Sequence, residues 1–252
     1  MALQKLLAAV GVGAATIDAV LDDDRIVVGG TLSGVLRIRG GSVEQKADRV
    51  LLDVSTYVER EVNDSRVKEA RVVHRHELPG PFVLAPNSQH DVRFAFQIPF
   101  HTPVTVHGSR YPIWLRSGLD LPFAVDPSDQ DLLEVHPTLA MANVLTAMER
   151  LGFRLYKADV EHRPRWRGGV GFVQEFEFRP VHRGQRHLDE VEVVFLNESG
   201  QNVEVLLQID RAARGFAGML MEATGTDESW RHVHIPAHSV DMAAQALNRL
   251  LP

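Results

Sequence analysis

The sequence contains no cysteine. That excludes thiol nucleophiles, cysteine-ligated zinc and disulfides, and it fits a reducing compartment such as the cytosol. Positive charge is not in excess either. A net charge of −6 argues against general nucleic-acid binding, which needs a basic face to displace counterions. Long apolar runs are also missing. The run nearest the N-terminus, Leu6 to Ala15, is too short to span a bilayer. A single lysine precedes it, Gly11 and Gly13 dilute it, and the strand-like Thr16 to Leu21 follows at once, so a short N-terminal helix or cap is expected rather than a secretion signal. There is no Gly-x-Ser-x-Gly nucleophile elbow, no phosphate-binding P-loop and no low-complexity segment.

What is present is a soluble-protein composition and a strong β pattern. With 252 residues the chain has the length of one large domain or two ordinary ones. Leu32, Leu36 and Ile38 share one strand face, and Val92, Phe94, Phe96 and Ile98 alternate until Pro99 closes the run. The first half holds about seven short strands with turn signals at the spacing of a sandwich, including a loop at Leu78-Pro79-Gly80-Pro81. In the middle, Asp126-Pro127-Ser128-Asp129 reads as a turn. Thr138 then caps a helix whose stripe is Met141, Val144, Leu145, Met148 and Leu151, with Gly152 as its stop. Strands resume after it: Val170, Phe172, Phe176 and Phe178 lie on one face, Val191, Val193 and Phe195 on another, and Val203, Val205, Leu207 and Ile209 on a third. A last strand at Trp230 to Ile235 precedes a C-terminal helix marked by Val240, Ala243, Leu247, Leu250 and Leu251. The expected architecture is all-β: lobes 1–127 and 128–252, joined by a hinge near 123–134, with a helix at 138–151 early in the second lobe.

Candidate sites are few, and each has a plainer reading beside it. His74-x-His76 and His232-x-His234 each put two imidazoles on one strand face. Zinc needs a third or fourth ligand, which Asp227 or Glu228 could offer to the second pair, so His232, His234 and Asp227 are the metal candidates although no metal site is expected. Glu175 with Glu177, and Glu190 with Glu192, pair carboxylates as glycoside hydrolysis would require, but their alternation with apolar residues predicts that they face water. Arg163, Arg165, Trp166 and Arg167 form a basic loop suited to an acidic partner, because guanidinium groups take carboxylates or phosphates and Trp anchors interfaces. The plainer reading is a solvated loop balancing nearby glutamates. A ligand-binding sandwich would gather Trp114, Trp166 and Trp230 around one cavity, and a metal- or carboxylate-dependent hydrolase would gather the histidines or glutamates.

Several pieces together carry a resemblance. Val10-Gly11-Val12-Gly13-Ala14-Ala15, Gly40-Gly41-Ser42-Val43-Glu44-Gln45, Val125-Asp126-Pro127 and Val135-His136-Pro137 are followed by Leu151-Gly152-Phe153, Gln174-Glu175-Phe176-Glu177-Phe178-Arg179-Pro180 and Asp189-Glu190-Val191-Glu192-Val193-Val194-Phe195. In this order and spacing the chain resembles the bacterial sporulation-control proteins with an arrestin-like fold, over almost its whole length. The resemblance implies two arrestin-like β-sandwich lobes, a cytoplasmic location, no cofactor and a regulatory or adaptor role without enzyme chemistry. It also implies protein partners among cell-division, cytoskeletal or envelope-associated proteins. The charged core that locks arrestins proper has no counterpart that can be matched residue by residue, so phosphate-triggered switching is not implied.

Overall fold

The computed structural model describes residues 14–62, 65–122, 126–163, 170–182, 188–199, 202–211 and 230–251. In chain order the strands are β1 (Thr16–Leu21), β2 (Arg25–Val27), β3 (Thr31–Arg39), β4 (Gln45–Val62), β5 (Ser65–Leu84), β6 (Gln89–Gln97), β7 (Ile113–Asp120) and β8 (Ser128–His136). Helix α1 (Leu139–Arg150) follows, then β9 (Phe153–His162), β10 (Phe172–Pro180), β11 (Leu188–Ser199), β12 (Asn202–Arg211), β13 (Arg231–Pro236) and helix α2 (Val240–Leu250). The all-β, arrestin-like reading holds, and both expected helices are present. The proposed N-terminal helix lies outside the described residues.

The chain divides into two compact units. The first comprises Met1–Tyr57, Ala70–Thr102 and Pro112–Val135; the second comprises Val58–Glu69, Pro103–Tyr111 and His136–Pro252. In the first unit, β1, β3 and β6 form an antiparallel sheet in that order. Period-2 alternation buries Ile17 and Ala19 on β1, Leu32, Leu36 and Ile38 on β3, and Phe94 and Phe96 on β6. Gly34 is required here, since a Cβ would stand 2.4 Å from the Val20 carbonyl oxygen. Val50, Leu52 and Val54 of β4 and Leu115 and Leu119 of β7 supply the other buried face.

Two local expectations change. Leu78-Pro79-Gly80-Pro81 is not a loop but part of β5, which pairs with β4. Among the described residues β5 pairs with β4 alone, and proline within a sheet is confined to such edge strands. Gly80 lets the strands approach, because a Cβ there would lie 2.5 Å from the Asp48 carbonyl oxygen. Ser128–His136, read from sequence as part of the joint, is a strand that pairs with β7 from Gly118↔Ser128 to Ile113↔Leu133. Its alternation buries Leu133 and Val135.

The second unit is built on the sheet β13-β12-β11-β10-β9 and the end of β4. Its pairings are antiparallel except β4 with β9, which is parallel at Glu59↔Glu161. One face is apolar and carries Ala158, Val160, Phe176, Phe178, Val191, Val193, Val205 and Ile235, all buried. Helix α1 contributes Met141, Val144 and Met148 to this core, and α2 contributes Ala243 and Leu247. Both helices carry an N-cap, and that of α1 is the expected Thr138. Thr138 Oγ1 accepts from the Met141 N–H at 3.1 Å, and Ser239 Oγ accepts from the Met242 N–H at 3.3 Å. Gly152, at φ +88°, ends α1 in the left-handed region that glycine enters without strain. Phe178 lies at the centre of this packing with no exposed surface, so Phe178→Ala should destabilise the protein by about 3–5 kcal/mol in urea denaturation.

Candidate functional site

The other face of the second unit's sheet is charged. Alternation puts Lys157, Asp159 and Glu161 of β9 on it, with Glu175, Glu177 and Arg179 of β10 and Glu190 and Glu192 of β11. Register aligns them in rows. Glu177 sits between Lys157 and Glu192, and Glu175 sits beside Asp159. A β-bulge at Glu177/Phe178 frees Tyr156, whose ring lies 3.5 Å beneath the Arg179 guanidinium carbon. The prediction that these glutamates face water fails for Glu177, which is 3% exposed; its neighbour Asp159 is buried too, at 1%. Alternation separates the two faces of a strand, but it does not say what covers the second. Here Val58–Glu69 and Pro103–Tyr111 belong to the same unit and bring Glu59, Arg66, Arg110 and Tyr111 to the charges.

Each buried carboxylate has a cation beside it. Lys157 Nζ lies 3.0 Å from both Asp159 Oδ2 and Glu177 Oε2. Arg110 Nε is 3.3 Å from Asp159 Oδ1, and its Nη1 is 3.3 Å from Glu59 Oε1. Glu59 also accepts from the Tyr111 hydroxyl at 2.5 Å and from Arg66 at 3.3 Å. Arg179 Nη2 is 2.6 Å from Glu177 and 3.4 Å from Glu190. The seven carboxylates Glu59, Asp159, Glu161, Glu175, Glu177, Glu190 and Glu192 thus meet the five cations Arg66, Arg110, Lys157, Arg163 and Arg179.

The excess of acid shows in the shifts of Glu190 and Glu192. Burial, then the hydrogen bond with Glu177 and repulsion from Glu177 and Glu192, pushes the Glu190 carboxyl up to about 8. Burial and the nearby Glu175 push Glu192 up to about 7. Glu177 goes the other way. Burial opposes its charge, but the hydrogen bonds from Glu190 and Lys157 and the charges of Lys157 and Arg179 hold it below the usual range. Two neighbouring carboxyls with opposite shifts are the ingredients of acid–base chemistry. Here, however, the ionised member is bracketed by Lys157 and Arg179, so its charge is already spent on structural pairs.

The structure also places the residues singled out from sequence. Arg163 is exposed and donates to Glu175 Oε1 from Nη2 at 2.8 Å and from Nε at 3.1 Å. Arg165, Trp166, Arg167, Asp227 and Glu228 lie outside the described residues. Trp114 is a core residue packed on Tyr57 with centroids 5.0 Å apart. His74 and His76 share a face as expected but lie against Phe96, at 5.5 and 4.8 Å. Among the described residues no group of three ligating side chains includes them. His232 and His234 do gain a third ligand, Glu204 of β12, with all ligating atoms within 4.8 Å of one another. Sequence reasoning missed Glu204, Glu59, Asp159 and Lys157, although the alternation Lys157-Ala158-Asp159-Val160-Glu161 was a legible sign of a charged face.

Comparison with known proteins gives a consistent result. A family model described as "Spo0M: SpoOM protein" matches residues 3–213. The "Sporulation-control protein spo0M" of Bacillus subtilis (strain 168) is 36% identical over 223 residues, covering 87% of this chain and 84% of that protein. A crystal structure of Spo0M, sporulation control protein, from Bacillus subtilis aligns with a TM-score of 0.82 at 31% identity, over 95% of this chain and 98% of that one.

Two outcomes follow from the charged face. Lys157→Met should destabilise the protein by about 3 kcal/mol in urea denaturation, because it leaves Asp159 and Glu177 short of a cation. A loss below about 1 kcal/mol would show that water already screens these charges. The second outcome concerns pH. Glu190 keeps its proton in the folded state up to about 8, whereas the unfolded chain loses it near the ordinary value of 4.5. The native state therefore holds more protons between those limits, and stability falls as pH rises through them. Glu190→Gln mimics the protonated form, so its urea midpoint should decline less than the parent's over that range; parallel declines would exclude Glu190 as the source.

Proposed function

Because the chain belongs to the SpoOM family, we propose that it is a non-enzymatic regulator that works in the cytoplasm by binding other proteins. A regulatory role is supported by its similarity to a sporulation-control protein. The observation that carries the reading is the extent of that similarity: the structural alignment runs over 95% of this chain, so residues of both compact units are matched. Binding without catalysis is supported by the charged face, where the carboxylates that could act as acid or base are held by arginine, lysine or each other. Among the described residues no helix is long and apolar enough to cross a membrane.

Two kinds of surface suit protein contact. Among the described residues β1, β6, β13, β2 and β5 each pair with one strand only, and an extended peptide can add to such an edge by main-chain hydrogen bonds. The second surface is the basic segment of Arg163, Arg165, Trp166 and Arg167. In this reading Arg163 exchanges Glu175 for an acidic group on the partner.

Crosslinking in the native cells, capture of the tagged protein and mass spectrometry test this reading. The expected result is a short, reproducible set of partners, depleted several-fold for the variant carrying Arg163→Ala, Arg165→Ala and Arg167→Ala. Full capture by that variant would remove the basic segment from the interface. Capture no better than background by the unaltered protein would overturn the proposal.

A further inference from the structure

We propose that Glu204, His232 and His234 form a binding site for a divalent transition-metal ion, with zinc as the fitting candidate. The site lies on the last strand pair of the second unit's sheet, and the proposal is independent of the regulatory reading. In the β12–β13 register Glu204 faces His234 directly, and His232 faces Leu206 one step along the same side. Strand alternation turns all three side chains to the face opposite the core. On the other side Val203, Val205, Leu207 and Ile235 are fully buried, which pins the backbone beneath the ligands.

Three donor atoms converge without any change of backbone. The two imidazole centroids are 5.4 Å apart, Glu204 Oε1 already contacts His232 Nε2, and the ligating atoms lie within 4.8 Å of one another. A tetrahedral zinc with bonds of about 2.0–2.1 Å separates its ligand atoms by about 3.3 Å, so small side-chain rotations close the site. The donor set selects the ion. Two neutral imidazole nitrogens with one carboxylate suit zinc, nickel or copper, whereas calcium and magnesium prefer oxygen alone. Glu204 also places its negative charge beside the imidazoles, so one positive charge of the ion is compensated locally. Three protein ligands leave one tetrahedral position for water or an outside donor. The exposure of His232 and His234 gives the ion a direct path from solvent.

The test is isothermal titration of the metal-stripped full chain, carrying no histidine tag, with zinc chloride, alongside equilibrium dialysis for stoichiometry. One zinc per chain is expected. His232→Ala, His234→Ala and Glu204→Gln should each weaken binding by at least about tenfold, since losing a direct ligand should cost no less than losing its supporting partner. The double variant His74→Ala/His76→Ala should bind like the parent. Because the three ligands sit on an outer face, circular dichroism of the variants should match the parent and separate lost binding from lost folding. Cobalt substitution should give the visible absorption of a four-coordinate site, which the His234→Ala variant lacks. No binding by the parent, or equal binding by parent and ligand variants, overturns the assignment.

Discussion

The second unit depends on Lys157 standing between Asp159 and Glu177. Without that ammonium, two carboxylates with almost no exposed surface would repel each other across neighbouring strands. Desolvation of a charge is expensive, and only a close counter-charge offsets it. The observed register of β9 and β10 sets Lys157 against Glu177 and within reach of Asp159. A buried ionic group of this kind adds little net stability, but it penalises every misaligned sheet. The apolar face is more permissive, since shifting Phe176 and Phe178 by two residues would still leave aromatic side chains facing the helices.

The same charges bear on function. Arg110 is shared by Glu59 and Asp159, Arg179 by Glu177 and Glu190, and Lys157 by Asp159 and Glu177. A catalytic carboxylate must meet a substrate, and these meet one another. Glu190 and Glu192, the acids pushed upward by burial and by neighbouring carboxylates, bind protons more readily than ordinary glutamates. In the proposed reading, recognition falls to exposed backbone edges and to the exposed Arg163 at the rim of the network.

Much of this was legible in the sequence, for reasons that can be named. Helix α1 was readable because its cap, stripe and stop are all local: Thr138, Met141 to Met148, and Gly152. The core strands were readable because alternation is a period of two. The charged face was misjudged because burial of a polar side depends on segments distant in sequence, here the ones carrying Glu59 and Arg110. Glu204 was invisible for a related reason. Its partners His232 and His234 are joined to it by strand register, and no short-range pattern encodes which residue of β12 a histidine of β13 will face. The prolines of β5 misled in the opposite direction, since Leu78-Pro79-Gly80-Pro81 carries turn chemistry yet forms part of a strand.

Strand β4 belongs partly to each unit, to the first up to Tyr57 and to the second from Val58, and both units are assembled from three separate stretches of chain. Interleaving of this kind has a consequence for heredity. A single recombination crossover in the gene cannot transfer either unit whole, so the two cannot be shuffled into other proteins as independent modules.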